Sequence, residues 1–372
     1  MVNASTTQLA SGLNSLHLRG KDNTPPASIY EGLKVQPLVP SGALNEKDYP
    51  RTQLTPALGL KFGPSVKLAE IIKLPEEQKD AVLRDLAISI SLHGVVFFED
   101  QHELEPEDLG RIALRLGELA GKPSSSSLHI HPTQNLTETG LPLGKIDSQP
   151  DKEGRQISFA DSGLTSKGWH SDVAFEPKPA LYTILKMHTL PKTGGDTLWS
   201  SNYEAYDRLT PAYREFLSGL TATHDAYRFR EQSRANGFKL REEPRGSPDN
   251  VGGEFKAVHP LIRTNPVTGL QTIYANVTFT TRINELSFDE SRSVLDYLFR
   301  LQHESHDAHV KYHWGKHDLA IWDNSTVNHL ATFDFKGPRQ GDRAVVVGDR
   351  PYFDPNGLSR RDFVAATEGD EE

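Results

Sequence analysis

A mixed α+β fold, built from packed sheets with helices flanking them, is predicted by three features of this 372-residue chain. Capped helical patterns cluster before about residue 120, short β-branched and aromatic runs dominate after Gly163, and no Pro/Gly/Ser linker divides the chain beyond about Tyr49. These predict one domain over 46–365. A disordered Ser/Thr/Asn-rich arm is expected over 1–45 and an acidic tail over 366–372.

The elements follow in order. Pro75-Glu76-Glu77 opens a helix, because proline suits a helix start and glutamate complements the macrodipole, and Ala81, Val82, Leu86, Ala87 and Ile90 form its apolar face. Gly94 ends it. Val95–Phe98 reads as a strand, Pro106 to Leu119 as a second helix, and Ser124 to Ser127 as a loop. Six more strands are expected at Leu181–Met187, Lys256–Arg263, Thr272–Asn276, Val310–Trp314, Asp318–Trp322 and Arg343–Val347, enough for a sheet sandwich. Ser287 and Glu290 form a capping box opening a helix that buries Val294, Leu295, Leu298 and Phe299. The polar stretch from Arg228 to Gly253 is long for a connection in a compact domain, and reads either as a lid over an active site or as surface disorder.

Composition narrows the chemistry. With 41 Lys+Arg against 50 Asp+Glu the net charge is −9, which argues against a nucleic-acid partner. The absence of cysteine excludes disulfides, thiolate metal sites, iron–sulfur clusters and a thiol nucleophile, so any metal must be held by His and carboxylate. No run approaches the roughly 18 apolar residues of a membrane span, and the N-terminus carries no signal-peptide pattern. A cytoplasmic protein with no membrane partner is expected.

In GWHSDVAFEP, His170 and Asp172 are two apart, a spacing that points both side chains to one face of an extended strand. Two histidines and one carboxylate on one octahedral face make an Fe(II) site with positions left open. IWDNSTVNHLATFDF offers His329 at a strand end, followed by Arg339 and Arg343, whose guanidinium groups can clasp oxyanions. A rival metal stripe is possible at His303, His306, His309, His313 and His317, were all five on one helix. His303 and His306 near a helix end would favour its dipole when protonated.

Taken together, GVVFFEDQ, HIHP, WHSDVAF, LPKTGGDTLWSS, HPLIRTNPVTG, FTTRI and IWDNSTVNH through GDRPYF resemble, in order from Gly94 to Phe353, the Fe(II)- and 2-oxoglutarate-dependent dioxygenases of the taurine dioxygenase type, including the fungal sulfonate dioxygenases. The resemblance implies a double-stranded β-helix (jelly-roll) core. It implies Fe(II) on His170, Asp172 and His329, with 2-oxoglutarate and O2 as co-substrates. Thr197 and Arg339 would hold the distal carboxylate of 2-oxoglutarate, His131 and Arg343 a substrate sulfonate, and Val173 and Phe279 an apolar pocket wall. The implied reaction hydroxylates the carbon beside sulfur, so that an aldehyde and sulfite leave with succinate and CO2. Homo-oligomers are common in the family.

One departure bears on substrate. Taurine-specific enzymes carry acidic and amide groups before the Trp-His to receive an amine, whereas this chain reads Leu164-Thr165-Ser166-Lys167-Gly168. A different or broader organosulfonate is expected. The alternatives are the same chemistry on an alkyl sulfate ester, an aryloxy acid or a purine, and a jelly-roll binding protein that keeps its metal for structure.

Overall fold

The computed structural model describes residues 32–133, 142–149 and 163–368. Strands β1 (Arg51–Gln53) and β2 (Leu60–Phe62) precede a short α1 (Leu68–Ile71) and the long α2 (Glu76–His93). Then come β3 (Val95–Phe98), α3 (Pro106–Leu119), β4 (Gly144–Asp147), β5 (Ala180–Thr189) and β6 (Thr197–Ser201). α4 (Asn202–Asp207), α5 (Pro211–Leu217), β7 (Thr221–Asp225) and α6 (Tyr227–Asn236) lead to β8 (Lys256–Pro260), β9 (Ile262–Thr264), β10 (Gln271–Ile273) and β11 (Thr280–Ile283). The chain continues through α7 (Phe288–Glu304), β12 (His309–Tyr312), β13 (Leu319–Asp323), β14 (Val327–Ala331), β15 (Gln340–Val347) and α8 (Arg360–Glu368).

The main sheet has seven strands in the order β1-β2-β3-β13-β5-β15-β4. It is buried on both faces, and the two-residue period of each strand divides its side chains between two cores. Val96, Phe98, Tyr182, Ile184, Leu319 and Ile321 face a core shared with α2 and α3. Val95, Phe97, Leu185, Met187, Ala320 and Trp322 face the opposite core, shared with Trp199, Val310, Tyr312 and Val327 of the three-stranded sheet β12-β6-β14. Two further small sheets, β11-β7-β8 and β10-β9, pack with α4, α5 and α7 around Leu261, Ile273, Ile283 and Leu298. The architecture is thus mixed α/β with several sheets.

Helices read from caps and periodicity match closely. α3 spans the expected residues, and both halves of the Ser287/Glu290 capping box form. Strand boundaries differ more. Lys256–Arg263 is two strands in two different sheets, because the chain turns at Leu261, whose amide bonds Leu220. Of Thr272–Asn276 only the first residues pair, as β10. His329 lies inside a separate strand, β14, and not at a strand end.

The terminal boundaries also shift. Residues 1–31 lie outside the described residues, but Leu33 and Leu44 are buried, and Asp85 accepts hydrogen bonds from the amides of Ser41 and Leu44. The body therefore begins earlier than residue 46. At the other end, α8 extends to Glu368 and buries Phe363, so the first residues of the expected tail are helical.

Gly94 joins α2 to β3 with φ of +75°, and a Cβ there would lie 2.5 Å from Val327 Cγ1. Gly94→Ala is expected to destabilise the fold by about 2–4 kcal/mol, combining left-handed strain with overpacking against β14. Chemical denaturation against the parent chain measures it.

Candidate active site

Three ligand atoms, one each from His170, Asp172 and His329, lie within 4.8 Å of one another between the two main sheets. Backbone pairing brings them together: the His170 amide donates to the His329 carbonyl at 3.0 Å and the His329 amide donates back at 2.8 Å. His329 sits on β14. His170 makes only this isolated bridge, and the chain turns immediately after it, so Asp172 reaches the site from a turn and not along the extended strand expected from the His-x-Asp spacing. Val173 has φ of +48°, a rare conformation for a β-branched residue, directly beside the metal-ligand candidate.

Asn324 holds this turn in place. Its Oδ1 accepts from the Asp172 amide at 3.0 Å and from Trp322 Nε1 at 3.2 Å, its carbonyl accepts from Ser171 Oγ at 2.6 Å, and its Nδ2 donates to Thr183 Oγ1 at 2.9 Å. Thr183 Oγ1 in turn donates to Asp172 Oδ2 at 2.8 Å.

The donor set fits a hard divalent metal. The Gly168 carbonyl, 2.8 Å from His170 Nδ1, can only accept, so Nδ1 carries a proton and Nε2 is the ring atom left to meet a metal. His170 Nε2 and His329 Nε2 lie 3.9 and 3.8 Å from the Asp172 oxygens, too far for hydrogen bonds and suited to a shared cation. Burial and the neighbouring His170 push His329 down to about 3, leaving a neutral imidazole. Burial opposes ionisation of Asp172, but His329, Arg343, His170 and the Thr183 hydrogen bond outweigh it and hold the carboxyl below its ordinary range.

Arg343 contacts the triad, and Arg339 stands four residues before it in the chain. Arg343, on β15, donates from NH1 to Asp172 Oδ1 at 3.3 Å, while its buried Nε has no partner among the described residues. Arg339, just before β15, is 4% exposed and donates to the Gly195 carbonyl at 2.8 Å and to Thr197 Oγ1 at 3.3 Å. No carboxylate pairs with it among the described residues, and desolvation brings it down to about 10 despite nearby Asp196. A buried guanidinium beside a hydroxyl is a ready carboxylate site.

His131 is also neutral, through burial and the proximity of Arg343. Its Nδ1 lies 2.8 Å from the Thr133 hydroxyl and 3.3 Å from the Thr133 amide, so Thr133 engages that edge of the ring and Nε2 is the edge left for another partner. Phe279 packs edge-on to His170 at 6.3 Å between ring centroids, and Phe229 of α6 packs edge-on to His131 at 5.2 Å. Phe229 was not legible in the sequence, because it belongs to the stretch read as a loop, whose first third is helical.

The family model described as "Taurine catabolism dioxygenase TauD, TfdA family" matches residues 50–347. The chain belongs to this family. It is 39% identical to the alpha-ketoglutarate-dependent dioxygenase esdpJ of Penicillium shearii over 90% of this chain and 98% of that protein. It is 31% identical to an alpha-ketoglutarate-dependent sulfonate dioxygenase of Saccharomyces cerevisiae over 84% of this chain and 70% of the yeast protein. The crystal structure of a putative alpha-ketoglutarate-dependent taurine dioxygenase from Burkholderia xenovorans superposes with TM-score 0.61 and 26% identity, covering 86% of this chain and 99% of that one. The protein is therefore an enzyme of the 2-oxoglutarate (alpha-ketoglutarate)-dependent dioxygenase class, with a His-Asp-His triad able to bind the iron and O2 as co-substrate.

The rival histidine stripe is dispersed in this TauD-family chain. His303 ends α7 and stacks on Trp169 at 5.7 Å, His309 begins β12 and bonds the Gln302 carbonyl at 2.6 Å, and His313 pairs with Asp196 at 2.7 Å. Among the described residues these histidines form no metal cluster. Burial pushes His303 down to about 3, so it stays neutral and does not answer the helix dipole as a cation.

A buried clamp ties the polar stretch to the site. Arg245 bonds both carboxylate oxygens of Glu176, at 2.5 and 2.8 Å, and His129 Nε2 lies 3.2 Å from Glu176 Oε1. Burial raises Glu176, yet the Arg245 and His129 contacts hold it below the ordinary range. Two backbone bonds, Ser127 amide to Gly246 carbonyl and Arg241 amide to Pro132 carbonyl, flank His131. The stretch is thus a fixed wall. Arg245→Met strands a buried carboxylate and is expected to cost about 3–5 kcal/mol, whereas Glu176→Gln combined with Arg245→Met costs less than the single change. Thermal and denaturant unfolding of the three variants check the order.

Proposed function

We propose that this dioxygenase hydroxylates an organosulfonate at the carbon next to sulfur, and that the 1-hydroxysulfonate so formed collapses to an aldehyde and sulfite. The observation that carries this is that Arg343 and the neutral His131 imidazole lie close together beside the metal-capable triad, with Phe279 and Val173 on the apolar side. Relatives named as sulfonate dioxygenases support it. In this reading His170, Asp172 and His329 are the Fe(II) ligands. When bound, Fe(II) supplies activation of O2 coupled to decarboxylation of 2-oxoglutarate to succinate and CO2.

The chain's own residues supply position. Arg339 and Thr197 hold the distal carboxylate of 2-oxoglutarate and so fix which way its keto-acid end points. Arg343 and His131 anchor the sulfonate, which sets the distance from the target C–H to the metal. Phe279, Phe229 and Val173 exclude water from the organic portion of the substrate. Asp172 has two claims on it, Arg343 in the ligand-free site and the metal in the loaded one, so an anionic substrate gives Arg343 a replacement partner. The seven-stranded and β12-β6-β14 sheets are read as the two halves of a double-stranded β-helix, with the triad between them. The single domain and a cytoplasmic setting complete the proposal.

The same donors would accept a sulfate ester or a carboxylate, so a substrate panel decides. Protein loaded anaerobically with Fe(II) and 2-oxoglutarate, then given air and a set of sulfonates, sulfate esters, aryloxy acids and purines, is expected to release sulfite and succinate with sulfonates. Sulfate release, or succinate formation coupled only to a carboxylate or purine, overturns the substrate assignment. His170→Ala and Asp172→Ala are expected to abolish Fe(II) binding and turnover, and succinate formation at the parent rate by either one refutes the ligand assignment. Arg343→Ala is expected to raise substrate KM at least 10-fold with 2-oxoglutarate affinity little changed. The reverse pattern would exchange its role with that of Arg339.

A further inference from the structure

We infer that Trp314 is a positioning residue that fixes the direction of the Thr197 hydroxyl, so that its proton is presented to the carboxylate held by Arg339. The inference rests on the 2-oxoglutarate site proposed above. It comes from an accounting of one hydroxyl. Thr197 Oγ1 has two lone pairs and one proton. Trp314 Nε1, which can only donate, lies 3.0 Å from it, and Arg339 NH2, which also can only donate, lies 3.3 Å from it. Both lone pairs are therefore occupied by donors, and the O–H must point elsewhere as a donor. No acceptor for it is found among the described residues. Thr197 is 3% exposed, so the proton is directed within the same buried space as the Arg339 guanidinium, which has no carboxylate partner among the described residues.

The indole is itself immobile. Trp314 is 4% exposed and packs against Tyr312 at 5.4 Å and Trp199 at 6.2 Å between ring centroids. Tyr312 opposes Thr197 directly in the β12–β6 ladder, so the strand pairing that places Thr197 also carries the chain to Trp314 two residues later. Without the indole N–H, one lone pair is vacated and the hydroxyl can rotate to turn a lone pair toward an incoming anion. A repulsive orientation then competes with the productive one.

The test is a double-mutant cycle on binding of 2-oxoglutarate to Mn(II)-loaded protein, measured by calorimetry without turnover. Trp314→Phe keeps the ring and removes the donor, and is expected to weaken 2-oxoglutarate about 5- to 10-fold. Thr197→Val is expected to weaken it by at least as much. In the Thr197→Val background, Trp314→Phe should have no further effect, because the indole acts only through the hydroxyl. An equal loss in both backgrounds would mean that Trp314 acts through packing, and an unchanged affinity in Trp314→Phe alone would show that the hydroxyl needs no orientation; either result overturns the inference. Failure of the underlying site reading looks different: Thr197→Val and Arg339→Met would then bind 2-oxoglutarate like the parent. Unfolding temperatures recorded alongside establish that each variant is folded.

Discussion

Two backbone hydrogen bonds, exchanged between His170 and His329, are the constraint on which the rest of the molecule depends. They join a turn 150-odd residues upstream to the middle of β14, and they set the separation of two metal-ligand candidates through main chain alone, whose geometry does not vary with rotamer. Everything behind that pairing preserves it. β14 is held by β6, β13 delivers Asn324, and Asn324 fixes the Asp172 turn through its amide and carbonyl groups. A site built this way is preorganised before any metal arrives, since the side chains need only occupy the rotamers that packing leaves them.

Charge follows the same logic on a smaller scale. The chain is acidic overall at −9, yet Arg343 pairs with the triad carboxylate Asp172 and the buried Arg339 stands beside Thr197. Burying a guanidinium without a carboxylate partner is costly, and Arg339 is 4% exposed with a carbonyl and a hydroxyl as its acceptors. The proposed function gives that position a carboxylate. Trp314 adds a directional element, because a cation attracts an anion from any angle while a fixed O–H specifies one.

Legibility in the sequence tracked the locality of the signal. Helices α3 and α7 were readable because proline placement and a capping box act within four residues. The His-x-Asp motif and the absence of cysteine only suggested a His and carboxylate site; His170, Asp172 and His329 were readable as a set through the family resemblance, and the strand assumed for the motif is a turn. β6, β7, β11 and β14 were missed because they are four or five residues long and carry Ser, Thr, Asn and His, types that do not advertise burial. Asn324, Trp314, Phe229 and Arg245 escaped for a different reason. Each acts across at least 69 residues of chain or through a ring contact, and nothing local in the sequence marks such a partner.

The division of labour among these residues explains why the reaction was easier to read than the substrate. The triad and its supports stand on paired strands or bond directly to them, where a changed side chain disturbs a ladder or a buried hydrogen bond. His131 and Phe229 stand instead on segments 127–133 and 227–255, which are tied to each other by two backbone bonds, to β15 by the His129 and Val347 amides, and to Glu176 through Arg245 and His129. The clamp is continuous with that wall: Arg245 stacks over Phe255, and Phe255 meets Phe175, which meets Phe279 beside His170.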